Sequence, residues 1–83
     1  MSYEKVKQAE HFSVGLKQTL KAIEHGKAQE IVIAKDADKK LINKVIQICN
    51  QKKINISYVD SMKQLGKACG IDVGASAIAL LKN

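Results

Sequence analysis

Apolar positions recur along this chain at two spacings, three to four residues and two residues, and the alternation between them predicts an α/β protein. Tyr3, Val6 and Ala9 mark one side of a weak helix over residues 3–10. Phe12 and Val14 flank Ser13, which predicts a short strand stopping at Gly15. Leu16, Leu20 and Ile23 repeat at i, i+4 and i+7 and form the stripe of a helix from Leu16 to His25, which Gly26 ends. Ile31, Val32, Ile33 and Ala34 are an unbroken apolar run rich in β-branched residues, as in a strand buried on both faces. Asp38 is placed to N-cap a third helix with apolar positions Leu41, Ile42, Val45, Ile46 and Cys49. Lys52 and Lys53 end it, where the dipole favours positive charge. Ile54, Ile56 and Tyr58 alternate with Asn55, Ser57 and Val59 in a further strand. Ser61-Met62-Lys63-Gln64 is a capping box for a short helix that stops at Gly66 or Gly70. Val73 to Leu81 reads as a last strand, against the helical preference of its alanines.

The order is helix, then strand–helix three times, then strand. It predicts a three-layer α/β/α sandwich around a central mixed four-stranded sheet. Eighty-three residues, with no proline and no linker-like stretch, are expected to form a single domain over residues 1–83. No apolar run approaches the roughly 20 residues a membrane span requires. The opening residues are too polar for a signal sequence, so a cytoplasmic location is expected.

Charge narrows the picture. Fourteen basic and eight acidic residues give a net +6, which calls for an anionic partner: RNA, DNA or a membrane surface. Every basic residue is lysine, a point charge rather than the two-pronged fork of arginine; AT-rich codon usage explains the same absence. The aromatic residues are Tyr3, Phe12 and Tyr58, too few for a protein that stacks single-stranded bases on aromatic platforms. Cys49 and Cys69 have neither zinc-ligand nor disulfide-framework spacing, and His11 and His25 stand apart from them. No metal or cofactor is expected, and both cysteines read as buried small hydrophobes. The chain contains no GxxxxGK[ST] and no GxGxxG. Asp38 is explained as a helix cap and Asp36 as a residue of the same turn, so the chain is not expected to be an enzyme.

Two segments carry candidate chemistry. In Gly15 to Lys21, the helical spacing puts Lys17, Gln18 and Lys21 opposite the apolar stripe. Lys17 and Lys21 are an i,i+4 like-charge pair, unfavourable by about 0.2–0.5 kcal/mol. Lys17 also sits in the first turn, where the dipole favours acids. A helix start carrying extra positive charge suits an anionic ligand, and Gly15 lets one come close. The same pattern also fits a solvated lysine face after a turn glycine. In Leu65 to Gly74, Ile71 and Val73 lie between glycines in a loop. They either fold back onto the core or form an exposed contact surface.

At these segments the chain resembles the kink-turn-binding ribosomal proteins of the archaeal L-seven-Ae type, and in particular their small bacterial, YbxF-like branch. The resemblance spans Gly15 to Lys21, the run from Ile31 to Asp38, and Leu65 to Val73. Met1-Ser2-Tyr3 and Ser61-Met62-Lys63 also look like the bacterial branch. It implies an α/β/α sandwich that binds a kink-turn, a sharply bent RNA helix with tandem sheared G·A pairs. It implies that Gly15, Lys17, Gln18 and Lys21 face the guanines and nearby phosphates, and that Lys35 offsets phosphate repulsion. Ile71, Asp72 and Val73 would then pack against the three-nucleotide bulge. The implied partner is structured RNA, ribosomal or riboswitch-like, with no DNA and no membrane, bound by a monomer. Archaeal and eukaryotic members typically carry Asn and Glu where this chain has Lys17 and Gln18. Proline is common at the positions of Lys39 and Gly74, and a glycine at the second is expected to loosen the loop. The alternative is a small protein-interaction module that uses Ile71 and Val73 and holds RNA only non-specifically. A nucleotide binder using the helix start is a more distant reading.

Overall fold

The computed structural model describes residues 3–82. Its elements are α1 (Tyr3–Gln8), β1 (Phe12–Val14), α2 (Leu16–Glu24), β2 (Ala28–Ala34), α3 (Lys39–Lys52), β3 (Asn55–Val59), α4 (Met62–Ala68) and β4 (Ala77–Leu81). The strands form one sheet in the order β1-β4-β2-β3. β4 runs antiparallel to both β1 and β2, and β2 runs parallel to β3. The sheet is therefore mixed, and β2 lies inside it.

Alternation along the two inner strands divides the core. Ile31, Ile33, Ala77 and Ala79 face the layer that holds Ala22 and Ile23 of α2 and Val45 and Cys49 of α3. Val32, Ala34 and Ile78 face the layer that holds Val6 of α1 and Leu65 of α4. Ile31 to Ala34 are all fully buried, as expected of a strand covered on both faces. The fold is thus the expected three-layer α/β/α sandwich. The alanines of β4 form a strand because α2 lies directly over them. At Ala77 and Ala79 a larger side chain would hold the helix off the sheet, so packing overrides their helical propensity.

Several boundaries differ from the expectation. α1 ends at Gln8, β2 starts at Ala28, and β4 starts at Ala77 rather than Val73. Residues 73–75 lie outside the ladder because the backbone there packs along α4 instead. The Ala75 amide donates to the Met62 carbonyl at 3.0 Å. Gly66 lies inside α4, and it is Gly70, at φ +82°, that follows the helix end. Leu41, placed on the apolar stripe of α3, is 43% exposed. Cys49 is buried as expected, whereas Cys69 is only half-buried.

The caps are where the sequence placed them, with one correction. The Asp38 carboxylate accepts from the Lys40 amide at 2.8 Å, and the Ser61 hydroxyl accepts from the Gln64 amide at 3.2 Å. Asp36, expected to serve its own turn, accepts from the Met62 amide at 2.8 Å. It therefore supports the start of α4, a contact across 26 residues that local spacing does not reveal. The Tyr3 hydroxyl donates to Asp60 and ties α1 to the β3–α4 corner.

Two outcomes follow from this packing. An ideal Cβ on Gly66 would overlap the backbone carbonyl of Val73, which cannot rotate away. Gly66→Ala should lower stability by about 1–3 kcal/mol in urea denaturation, and an unchanged midpoint would contradict this packing. The Tyr3 hydrogen bond, as the largest cause, holds the Asp60 carboxyl below its usual range. A depressed folded-state pKa contributes stability above the ordinary carboxylate pKa, and this contribution is lost as pH falls through the lowered value. Tyr3→Phe should therefore flatten the acid limb of a melting-temperature profile; an acid limb as steep as the parent's would count against it.

Candidate nucleic-acid interface

The turn from β1 into α2 has a backbone that side chains disfavour. Gly15 has φ +96° and ψ +160°, a region essentially confined to glycine. Its amide donates to the Ala77 carbonyl at 3.0 Å, and its own carbonyl accepts from the Thr19 amide at 2.9 Å. One residue thus ends the β1–β4 ladder and starts the helix. No side chain caps α2, and no acid lies in its first turn. The positive end of the helix is therefore left to solvent or a ligand.

Lys17, Gln18 and Lys21 are exposed, while Thr19, Ala22 and Ile23 are buried. The three polar side chains share one face, since Lys17 and Lys21 are four residues apart and Gln18 and Lys21 three. Two lysine donors and one amide that donates and accepts stand beside an uncapped helix start. The group can bind phosphate oxygens and base-edge acceptors together. Thr19 Oγ1 is buried without a hydrogen-bond partner; the fold gives no account of this.

The loop from α4 to β4 approaches the same end of the sheet. The Ile71 amide donates to the Gly66 carbonyl at 3.0 Å, so the chain turns back along α4. The Ser76 carbonyl accepts from the Ala34 amide at 3.0 Å, next to the Ala77–Gly15 bond. Ser76 and Ala77 are therefore brought directly to the helix start. Val73 lies four residues earlier, within a chain reach of about 14 Å. Ile71 is half-buried, Asp72 is exposed and Val73 is 69% exposed, so the loop divides between core packing and open surface. Gly74 packs against the start of α4. A Cβ there would lie 3.3 Å from Met62 Cβ, so the glycine allows close packing.

Lys35 follows β2 at this end, its amide bonded to the Val59 carbonyl at 2.8 Å. It lies toward β3, where its charge also helps hold the Asp60 carboxyl low. Lys39 and Lys40, which the sequence did not mark as binding residues, open α3 at the same end with no acid in the first turn. The signal that could have found them is the one that marked Lys17, a lysine where the dipole favours an acid. Burial pushes the Cys69 thiol, beside the loop, above its ordinary range. Among the described residues no group of His, Cys, Asp and Glu is arranged to hold a metal ion, and no helix is long and apolar enough to cross a membrane.

Comparison with known proteins places the chain beside RNA-binding proteins. The model of the "Ribosomal protein L7Ae/L30e/S12e/Gadd45 family" matches residues 2–83. The chain is 60% identical over 82 residues to an RNA-binding protein of Halalkalibacterium halodurans, covering 99% of this chain and 100% of that one. It is 50% identical over 82 residues to the RNA-binding protein YbxF of Geobacillus stearothermophilus, with the same coverage. The solved structure of the Giardia lamblia 15.5 kD RNA binding protein superposes with a TM-score of 0.87 at 28% identity, covering 98% of this chain and 71% of that one. These relatives are named as RNA-binding proteins, not enzymes.

Gly15 and Gly66 should respond to alanine for different reasons. A Cβ on Gly15 meets nothing within 4 Å, so the loss there is backbone strain alone. Gly15→Ala should cost about 1–3 kcal/mol in urea denaturation. Parent-like stability would mean that the turn is not held in the glycine-only region.

Proposed function

The chain belongs to the ribosomal protein L7Ae/L30e/S12e/Gadd45 family, and on that premise we propose that it recognises kink-turns in structured RNA and stabilises their bend. It is an RNA-binding protein of that family. The observation that carries the finer reading is the uncapped start of α2 beside Lys17, Gln18 and Lys21, bonded through Gly15 to the end of the α4–β4 loop.

Regular A-form RNA hides its base edges in a deep, narrow major groove, so a protein that reads them needs a distorted site. In a kink-turn the groove beside the sheared G·A pairs is widened, and α2 enters it by its N-terminus. Lys17 and Lys21 donate to guanine O6 and N7 or to phosphates, and Gln18 bonds a base edge as a neutral amide. The free amides of the first turn face a phosphate. Bending the RNA crowds phosphates on the inside of the kink. Lys21, Lys35, Lys39 and Lys40 lower that repulsion and shift the population toward the bent form. Val73 offers an apolar surface to an extruded nucleotide of the bulge, beside Ile71 and Asp72. The RNA is ribosomal or riboswitch-like, and the protein acts as a cytoplasmic monomer.

The test is a titration at fixed salt against two hairpins, one with an intact kink-turn and one with its G·A pairs replaced by Watson–Crick pairs. The first should bind at least about a hundredfold more tightly, near 2.7 kcal/mol. Gln18→Ala should narrow that preference by about 1–3 kcal/mol. Lys21→Ala should flatten the salt dependence by about one phosphate contact. Equal binding of both hairpins would sink the proposal and leave a basic domain that holds RNA by charge, with Val73 free to contact a protein.

A further inference from the structure

The opposite end of the sheet carries a second cluster of lysines that the proposed kink-turn contact does not use. The Lys82 amide donates to the Lys27 carbonyl at 2.8 Å, which brings the end of β4 to the turn before β2. Lys52, at the end of α3, and Lys82 line one open cleft together with Gly26 and Ala28. Lys53 follows Lys52 at φ +58° and ψ +43°, a left-handed backbone that usually selects glycine. Four lysines thus lie at this end, on the α2–β2 turn, at the end of α3 and just after β4. The cleft's single carboxylate is Glu24. Among the described residues, the ion pair within 4.0 Å is Lys5–Glu30, so none of the four is in direct contact with a described carboxylate.

Helix ends account for part of this. α2 and α3 both finish here, and their negative ends favour cations such as Lys52 and Lys53. Lys82 follows the end of β4, where no dipole calls for charge. Distance separates the cluster from the other end. α2 spans about 14 Å from its start to its last turn. That exceeds the Debye length of about 8 Å at physiological salt, so these lysines do not simply add to the field at Gly15.

We propose that Lys27, Lys52, Lys53 and Lys82 form a second RNA-backbone contact, which takes the phosphates of a regular helical segment. Lysine point charges fit this role, because a regular backbone presents repeated anions and no base edge to read. Gly26 leaves open space between the lysines, with nothing within 4 Å of an added Cβ. A phosphate chain can therefore approach the backbone closely. The inference rests on the chain being an RNA binder and not on the kink-turn reading. With both surfaces the domain would grip two segments of one folded RNA.

The test measures binding of a plain RNA duplex against salt concentration for the parent and three double variants. Lys52→Ala with Lys82→Ala should reduce the log–log slope by about 1.8, two contacts at about 0.9 each. Lys27→Ala with Lys53→Ala, which spares the two lysines of the cleft, should do the same. Lys7→Ala with Lys67→Ala, on α1 and α4, should leave the slope unchanged. An equal reduction in all three would mean diffuse attraction and overturn the proposal. So would no reduction in the first two, or their loss of binding to polyglutamate with an unchanged RNA slope, which would assign the surface to an acidic protein. The preference for intact over G·A-replaced hairpin, read on the same variants, should equal the parent's. That ratio reports on the kink-turn reading alone.

Discussion

A single backbone hydrogen bond, from the Gly15 amide to the Ala77 carbonyl, joins the start of α2 to the start of β4 and so to the loop before it. The bond continues the β1–β4 ladder by one residue, and Gly15 then turns the chain into α2 through a conformation essentially closed to other residues. Everything proposed for this end of the molecule depends on that junction. It aims the positive end of α2 outward and fixes which face of the helix meets the sheet. The Ser76–Ala34 bond beside it brings in the end of β2 and hence Lys35. Three elements distant in sequence thus meet at one rim through main-chain contacts.

The charge pattern shows what this arrangement costs when no ligand is present. Lys17, Lys39 and Lys40 lie in first turns, where a helix is better served by acids, and Lys17 faces Lys21. Each penalty is a few tenths of a kcal/mol, small beside the roughly 1.5–3 kcal/mol from burying each large apolar side chain such as Ile31, Ile33 or Leu65. The core therefore tolerates a rim tuned for an anion. Small residues matter as much as large ones. Ala77 and Ala79 admit α2 to the sheet, and Gly66 admits the Val73 carbonyl to α4.

Much of the fold was legible because its signals are local. The stripe of Leu16, Leu20 and Ile23, the run Ile31–Ala34, and the caps Asp38 and Ser61 each announce an element within a few residues. The misplaced features are those fixed by distant partners. Asp36 supports α4, Gly66 accommodates the Val73 backbone, and residues 73–75 leave the ladder to follow α4. No spacing within the segment records such contacts. The candidate rim was partly legible. Lys17, Gln18 and Lys21 share a face by periodicity alone, but their nearness to the α4–β4 loop depends on β4 lying beside β1. At the other end, Lys52 and Lys53 were legible only as helix-end residues and Lys27 and Lys82 not at all, because their meeting depends on Lys27 and Lys82 pairing across the sheet.

The central claim is that binding at the start of α2 bends the RNA. The direct measurement is energy transfer between dyes on the two arms of a kink-turn duplex, in low salt without divalent cations, as protein is added. A saturable rise in transfer at one protein per RNA, absent for the duplex lacking G·A pairs, is the result the account predicts. Tight binding with no change in transfer would contradict it, since the lysine rim would then hold RNA without selecting its bent form.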